Sequence, residues 1–109
     1  MFVIDENPTF SATCTAMVPT KGGHERQTFK ATFNLVSDEH IEQLNLSSVT
    51  DTKAFLRLAV VGLDDIAGAD KQPVPYSDAV LEYVISKPWG RFALSRGYFG
   101  AIAKAAEGN

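Results

Sequence analysis

Cys14, His24 and His40 are the residues with which this chain would have to do nucleophilic or transition-metal chemistry. One thiol and two imidazoles, each far from the others in sequence, do not make a zinc-ligand spacing. A lone cysteine also has no partner for an internal disulfide. Cys14 falls on the apolar side of an alternating stretch, so it reads as a buried strand residue, with a reactive thiol as the alternative. Both histidines read as structural or solvent-facing groups. Asp64, Asp65 and Asp70 bring carboxylates into one loop, but the calcium-loop spacing and its terminal glutamate are missing. A solvated loop is expected there. Gly22-Gly23 lacks the lysine–hydroxyl pair of a phosphate-cradling loop, and Gly97-Tyr98-Phe99-Gly100 falls in a helical stretch rather than after a strand. No serine sits in a nucleophile-elbow context. No catalytic, cofactor or metal residue is assigned, and the chain is not expected to be an enzyme.

Non-covalent recognition is the remaining chemistry. Trp89, Phe92, Tyr98 and Phe99 are interleaved with Arg91, Arg96 and Lys104 near the C-terminus. Aromatics beside cations can stack on bases, but nucleic-acid binders usually carry a basic excess. This chain has a formal net charge of −3, from 13 acidic and 10 basic residues. Residues 1–70 hold ten acids against five bases, and residues 71–109 three acids against five. The aromatic cluster therefore reads as core packing or as a protein-facing surface, and no nucleic-acid partner is expected.

The elements that must position these groups are those of one small domain. A length of 109 residues with 45% hydrophobic and 21% charged residues allows a single core spanning 1–109, with 1–9 as a loose leader. No apolar run approaches the ~20 residues of a membrane span, so no membrane partner is expected. The start has no signal-peptide shape, and the single cysteine suits a reducing compartment, so the expected location is cytoplasmic.

Two stretches alternate with a period of two. Phe10, Ala12, Cys14, Ala16 and Val18 oppose Ser11, Thr13, Thr15 and Met17. After the Gly22-Gly23 turn signal, Phe29, Ala31, Phe33 and Leu35 oppose Thr28, Lys30, Thr32 and Asn34. The pattern predicts an antiparallel hairpin of strands 10–18 and 26–36, which needs helices or another chain behind it. Ser37 before Asp38-Glu39 predicts a helix start. Thr50 or Asp51 is expected to cap a buried helix over 52–61, ended by Gly62, with 64–75 a loop. Ser77 is expected to cap a third helix over 78–86, and Pro88 to open a fourth running to Ala106. The fold class is thus α+β, an N-terminal antiparallel β-hairpin followed by three or four packed α-helices. Phe55, Leu58, Leu81, Ile85 and Phe92 are expected to form much of the helical core.

The last helix is apolar or small on more than one side. Gly90, Ala93, Gly97 and Ala101 make one broad stripe, while Trp89, Phe92, Phe99 and Ile102 cover another arc. Such a helix either docks onto the hairpin and the 52–61 helix or is shared with another chain, giving a homo-oligomer.

From residue 29 the chain runs FKATFNLVSDEHIEQL, and an ordered set of positions follows. Phe29 and Phe33 stand at apolar strand positions. Ala54, Phe55, Leu56 and Val60 to Leu63 lead into an aspartate- and glycine-containing loop. Pro75-Tyr76-Ser77 precedes a helix with Leu81 and Ile85. Pro88, Arg91, Ala93, Leu94 and Tyr98 form a proline–arginine–alanine–tyrosine run, and Asn109 closes the chain. This order, over residues 29–109, resembles the tail assembly chaperones of long-tailed bacteriophages and prophages. The resemblance implies a small cytoplasmic assembly chaperone, absent from the mature virion. It implies the tape measure protein as transient partner, with the tail-tube protein as a further one. The resemblance also raises a longer product made by translational frameshifting, which a protein sequence does not show. The residues expected to bind protein are Trp89, Phe92, Gly97, Tyr98, Phe99 and Ile102. The competing readings are a structural tail or adaptor component and a small regulatory domain.

Overall fold

The computed structural model describes the backbone of residues 1–106 and the burial of side chains through Lys104. Asn109, used in the family comparison above, lies outside the described residues. Strands β1 (Thr9–Thr20) and β2 (Gly23–Asn34) pair antiparallel, from Thr9 opposite Asn34 to Thr20 opposite Gly23. The alternation dictates this register, because a one-residue slip would turn every apolar side chain to solvent. Gly23 takes a φ of 148°, a backbone conformation that side chains with a Cβ rarely adopt.

A third strand extends the pair. Helix α1 (Asp38–Glu42) and helix α2 (Val49–Ala59) are followed at once by β3 (Val60–Asp64), antiparallel to β2. The sheet order is β1-β2-β3. This corrects the expected 52–61 helix: Val60 is already extended and ends α2, and Val60-Val61 belong to the sheet. Two β-branched residues in a row lose little as strand, and β2 offers them an otherwise unpaired edge. The ladder steps from Thr32–Gly62 to Phe33–Val60, leaving Val61 as the extra residue of a bulge.

Serines start three helices. Ser37 Oγ accepts from the His40 amide and Ser77 Oγ from the Val80 amide, as the sequence predicts. The cap of α2 is Ser48, which accepts from the Asp51 amide at 3.2 Å, rather than Thr50 or Asp51. Asp51 instead accepts from the Asn45 amide and holds the preceding link. Helix α3 (Asp78–Ser86) and helix α4 (Pro88–Ala106) match the predicted bounds. Arg91 donates to the Ile85 carbonyl at the end of α3, where a cation is favoured.

The architecture has two layers. One sheet face, carrying Cys14, Ala16, Phe29, Ala31 and Phe33, is covered by the helices. α4 packs along β1, with α2 and α3 beside it. The other face presents Ser11, Thr13, Lys30 and Thr32. Phe55, Leu81 and Ile85 are core residues as expected, but Leu58 and Phe92 are 45% and 59% exposed. Leu94 and Tyr98 fill the helical core in their place. Leu35 is exposed as well, since the β2 ladder stops at Asn34.

Candidate protein-binding surface

The structure divides the six candidate residues between the interior and the surface. Tyr98 is fully buried, and its hydroxyl accepts from the Val36 amide at 2.9 Å. Phe33 and Phe55 meet its ring edge-on at 5.4 and 4.9 Å. Gly97 faces β1: a Cβ there would stand 2.6 Å from Cys14 Sγ. Tyr98 is therefore a core residue, and Gly97 is a half-buried contact point between α4 and β1. The small-residue stripe of Gly90, Ala93 and Gly97 lets α4 sit close to the sheet and α3. Trp89 is half-buried against the core.

Phe92, Phe99 and Ile102 remain on the surface, the last two 40% and 38% exposed. Seven residues place Phe99 almost directly along the helix from Phe92, and Ile102 lies one turn further. Phe99 is held in place because its ring stacks on buried Phe55, with centroids 5.5 Å apart and planes within 12°. Arg96, on the same side of α4, is turned onto the sheet and donates to the Thr15 carbonyl at 3.2 Å. An apolar strip thus runs along α4, and the neighbouring Arg91 and Arg96 are each bonded to a backbone carbonyl. It can cover a complementary apolar helix face.

The remaining candidates serve their own elements. His24 lies at the hairpin end and His40 in α1, both exposed. Asp70 accepts from the Gln72 amide within its own loop. Among the described residues, no three of His, Cys, Asp or Glu come together. Arg57 and Glu82 make a two-bond ion pair at 2.8 and 2.9 Å that ties α2 to α3. Those bonds hold the Glu82 carboxyl below its usual range and the Arg57 guanidinium above its own.

Cys14 is buried, and loss of hydration pushes its thiol up from 9.0 to about 11. It is thus a packing residue and a poor nucleophile at neutral pH. The folded state holds the proton more tightly than the unfolded chain. The Cys14 contribution to stability is therefore complete below pH 9 and is lost as pH rises toward 11. Thiol titration at pH 8 is expected to be slow in the folded protein and fast in urea. A Cys14→Ala variant should lose less stability than the parent between pH 9 and 11. Rapid labelling of the folded protein would place Cys14 at the surface.

A concave feature lies beside the first turn of α4. A groove of about 580 Å³ runs between the turn end of the hairpin, the 65–74 loop, α3 and the start of α4. Val18, Phe29, Ile66, Val80, Val84 and Trp89 line it, together with the charged Asp65 and Lys87. It was not legible in the sequence, because its walls come from four separate segments.

Among the described residues, no helix is long and apolar enough to cross a membrane. No known family, curated protein or solved structure matches the chain.

Proposed function

We propose that this chain is a non-catalytic assembly chaperone of phage tail morphogenesis, acting in the cytoplasm by transient binding of the tape measure protein. The observation that carries the reading is the apolar strip of Phe92, Phe99 and Ile102 on α4, with Phe99 fixed by Phe55. The ordered resemblance of residues 29–109 to tail assembly chaperones supplies the client. A tape measure protein is a long helical chain whose apolar faces need cover until the tail tube closes around it. Apolar contact contributes roughly 25 cal/mol per Å² before the costs of association. A strip of three side chains therefore gives modest affinity, which lets tail-tube subunits displace the chaperone later.

Co-expression with the tape measure protein of the same tail gene cluster tests this. The soluble fraction of the client is expected to rise, with a complex that co-purifies. Phe92→Asp combined with Ile102→Asp should abolish both effects while leaving the circular dichroism spectrum unchanged. Equal client solubility with parent and variant would refute the assignment of the surface. Normal tails in a strain lacking the gene, with no second copy, would refute the function. Stoichiometric recovery of the chain in purified tails would make it a structural component instead.

A further inference from the structure

The outer edge of β1 is a row of backbone hydrogen-bonding groups that the sheet does not use. The Pro8 carbonyl accepts from the Leu35 amide, so even-numbered residues of β1 bond to β2 and odd-numbered ones turn their N–H and C=O away from it. Ser11, Thr13, Thr15 and Met17 therefore point their backbone groups out of the sheet. Among the described residues only Arg96 reaches that row, through the Thr15 carbonyl. The opposite edge of the sheet is blunted: β3 has five residues, a bulge at Val61 and a carboxylate, Asp64, at its end. β1 has twelve residues, pairs without a register shift and carries no charged side chain. We propose that this edge receives, as a fourth strand, an extended acidic segment of another protein, paired along Ser11–Met17 with a carboxylate on Arg96.

Donors and acceptors alternating at the strand repeat fit an extended backbone. A second copy of β1 does not supply it over this stretch. α4 lies over β1 itself, with Gly97 against Ala12 and Cys14. Antiparallel pairing of β1 with its copy about a two-fold axis would put both α4 helices on one face, over strands about 4.8 Å apart. Packed helices need about 8–10 Å. An extended segment without its own helix meets no such conflict.

Charge selects among such segments. Among the described residues Arg96 has no carboxylate within ion-pair distance, and its bond goes to a neutral carbonyl. An incoming amide takes over the Thr15 carbonyl, which releases Arg96 to a carboxylate on the helix-facing side of the new strand. Gly100, one turn further along α4, leaves that flank open, since a Cβ there meets nothing within 4 Å. On the other face the new strand lies beside Ser11, Thr13 and Thr15, where β-branched side chains pair well. This inference does not rest on the tail-assembly reading, and it uses a surface distinct from Phe92 and Ile102.

Amide hydrogen exchange of the full chain, read by NMR, tests it with the capped peptide Thr-Val-Thr-Glu-Thr-Val-Thr as probe. At millimolar peptide, exchange at Ser11, Thr13, Thr15 and Met17 is expected to slow at least about tenfold. Ala12, Cys14 and Ala16, already bonded to β2, should keep their rates. Thr13→Pro removes one edge amide without breaking the β1–β2 ladder and should abolish the protection. Arg96→Glu should lose the glutamate peptide and accept the same peptide with lysine in its place. No protection at millimolar peptide overturns the inference. So does equal protection of odd- and even-numbered amides, or equal protection of the parent by the glutamate and lysine peptides. Odd-numbered protection that grows with protein concentration in the absence of peptide also overturns it, by making a second copy the occupant.

Discussion

Gly90→Ala is expected to destabilise the protein by at least ~3 kcal/mol, although it adds only one methyl group. Its Cβ would stand 2.0 Å from the Val84 carbonyl oxygen, 3.0 Å from that carbonyl carbon and 3.1 Å from Val84 Cγ1. The first two atoms are backbone at the end of α3, so no side-chain rotation relieves the overlap. Either α3 or α4 must move, and the core between them opens. Helix propensity acts in the opposite sense, favouring alanine by about 1 kcal/mol. The steric term wins because close-packed interiors have no slack at that distance. Gly100 is the control on the same helix: a Cβ there meets nothing within 4 Å. Gly100→Ala should therefore keep most of the propensity gain and raise the urea midpoint. Urea unfolding of both variants measures the contrast. A Gly90→Ala variant within ~0.5 kcal/mol of the parent would mean that α3 and α4 do not meet as described.

Tyr98 should show the second largest effect, and its two variants separate packing from hydrogen bonding. Tyr98→Ala removes a fully buried ring contacted by Phe10, Phe33, Phe55 and Phe99 at centroid distances of 4.9–5.4 Å. Aromatic-to-alanine changes in a core cost about 3–5 kcal/mol. Tyr98→Phe keeps the ring and deletes only the acceptor of the Val36 amide. That leaves a buried donor unsatisfied, at a cost of about 1–3 kcal/mol. Unfolding in urea gives the totals, and hydrogen exchange at Val36 should accelerate in Tyr98→Phe beyond the change at neighbouring amides. Unchanged exchange at Val36 would remove the hydrogen bond from the account.

The hairpin was legible because period-two alternation reports directly on which side is buried, as Cys14, Ala31 and Phe33 show. Ser77 and Pro88 were equally readable, since capping and the missing proline amide are local chemistry. β3 was not. Val60-Val61 continue the apolar run of Phe55 and Leu56, and only the free edge of β2 makes them a strand. The face of α4 was ambiguous for a related reason: a helix apolar over much of its circumference does not declare which arc is inside. The small stripe of Gly90, Ala93 and Gly97 turned toward its own hairpin and α3. Phe92 was thereby left outside and Tyr98 taken in. The sequence does hold a signal for that choice: only small residues let a helix backbone approach a sheet as closely as Gly97 approaches Cys14.

The packing of α4 on β1 also fixes an order of events during synthesis. The contact between Thr15 and Arg96 joins residues 81 positions apart. At about 5–20 residues per second, roughly 4–16 s pass on the ribosome between the two. The β1–β2 ribbon emerges in that interval with Phe29 and Phe33 uncovered, and an isolated two-stranded ribbon is marginally stable in water. The nascent chain therefore displays the apolar sheet face that the finished protein hides. Its solubility during translation depends on how soon α4 arrives to cover it.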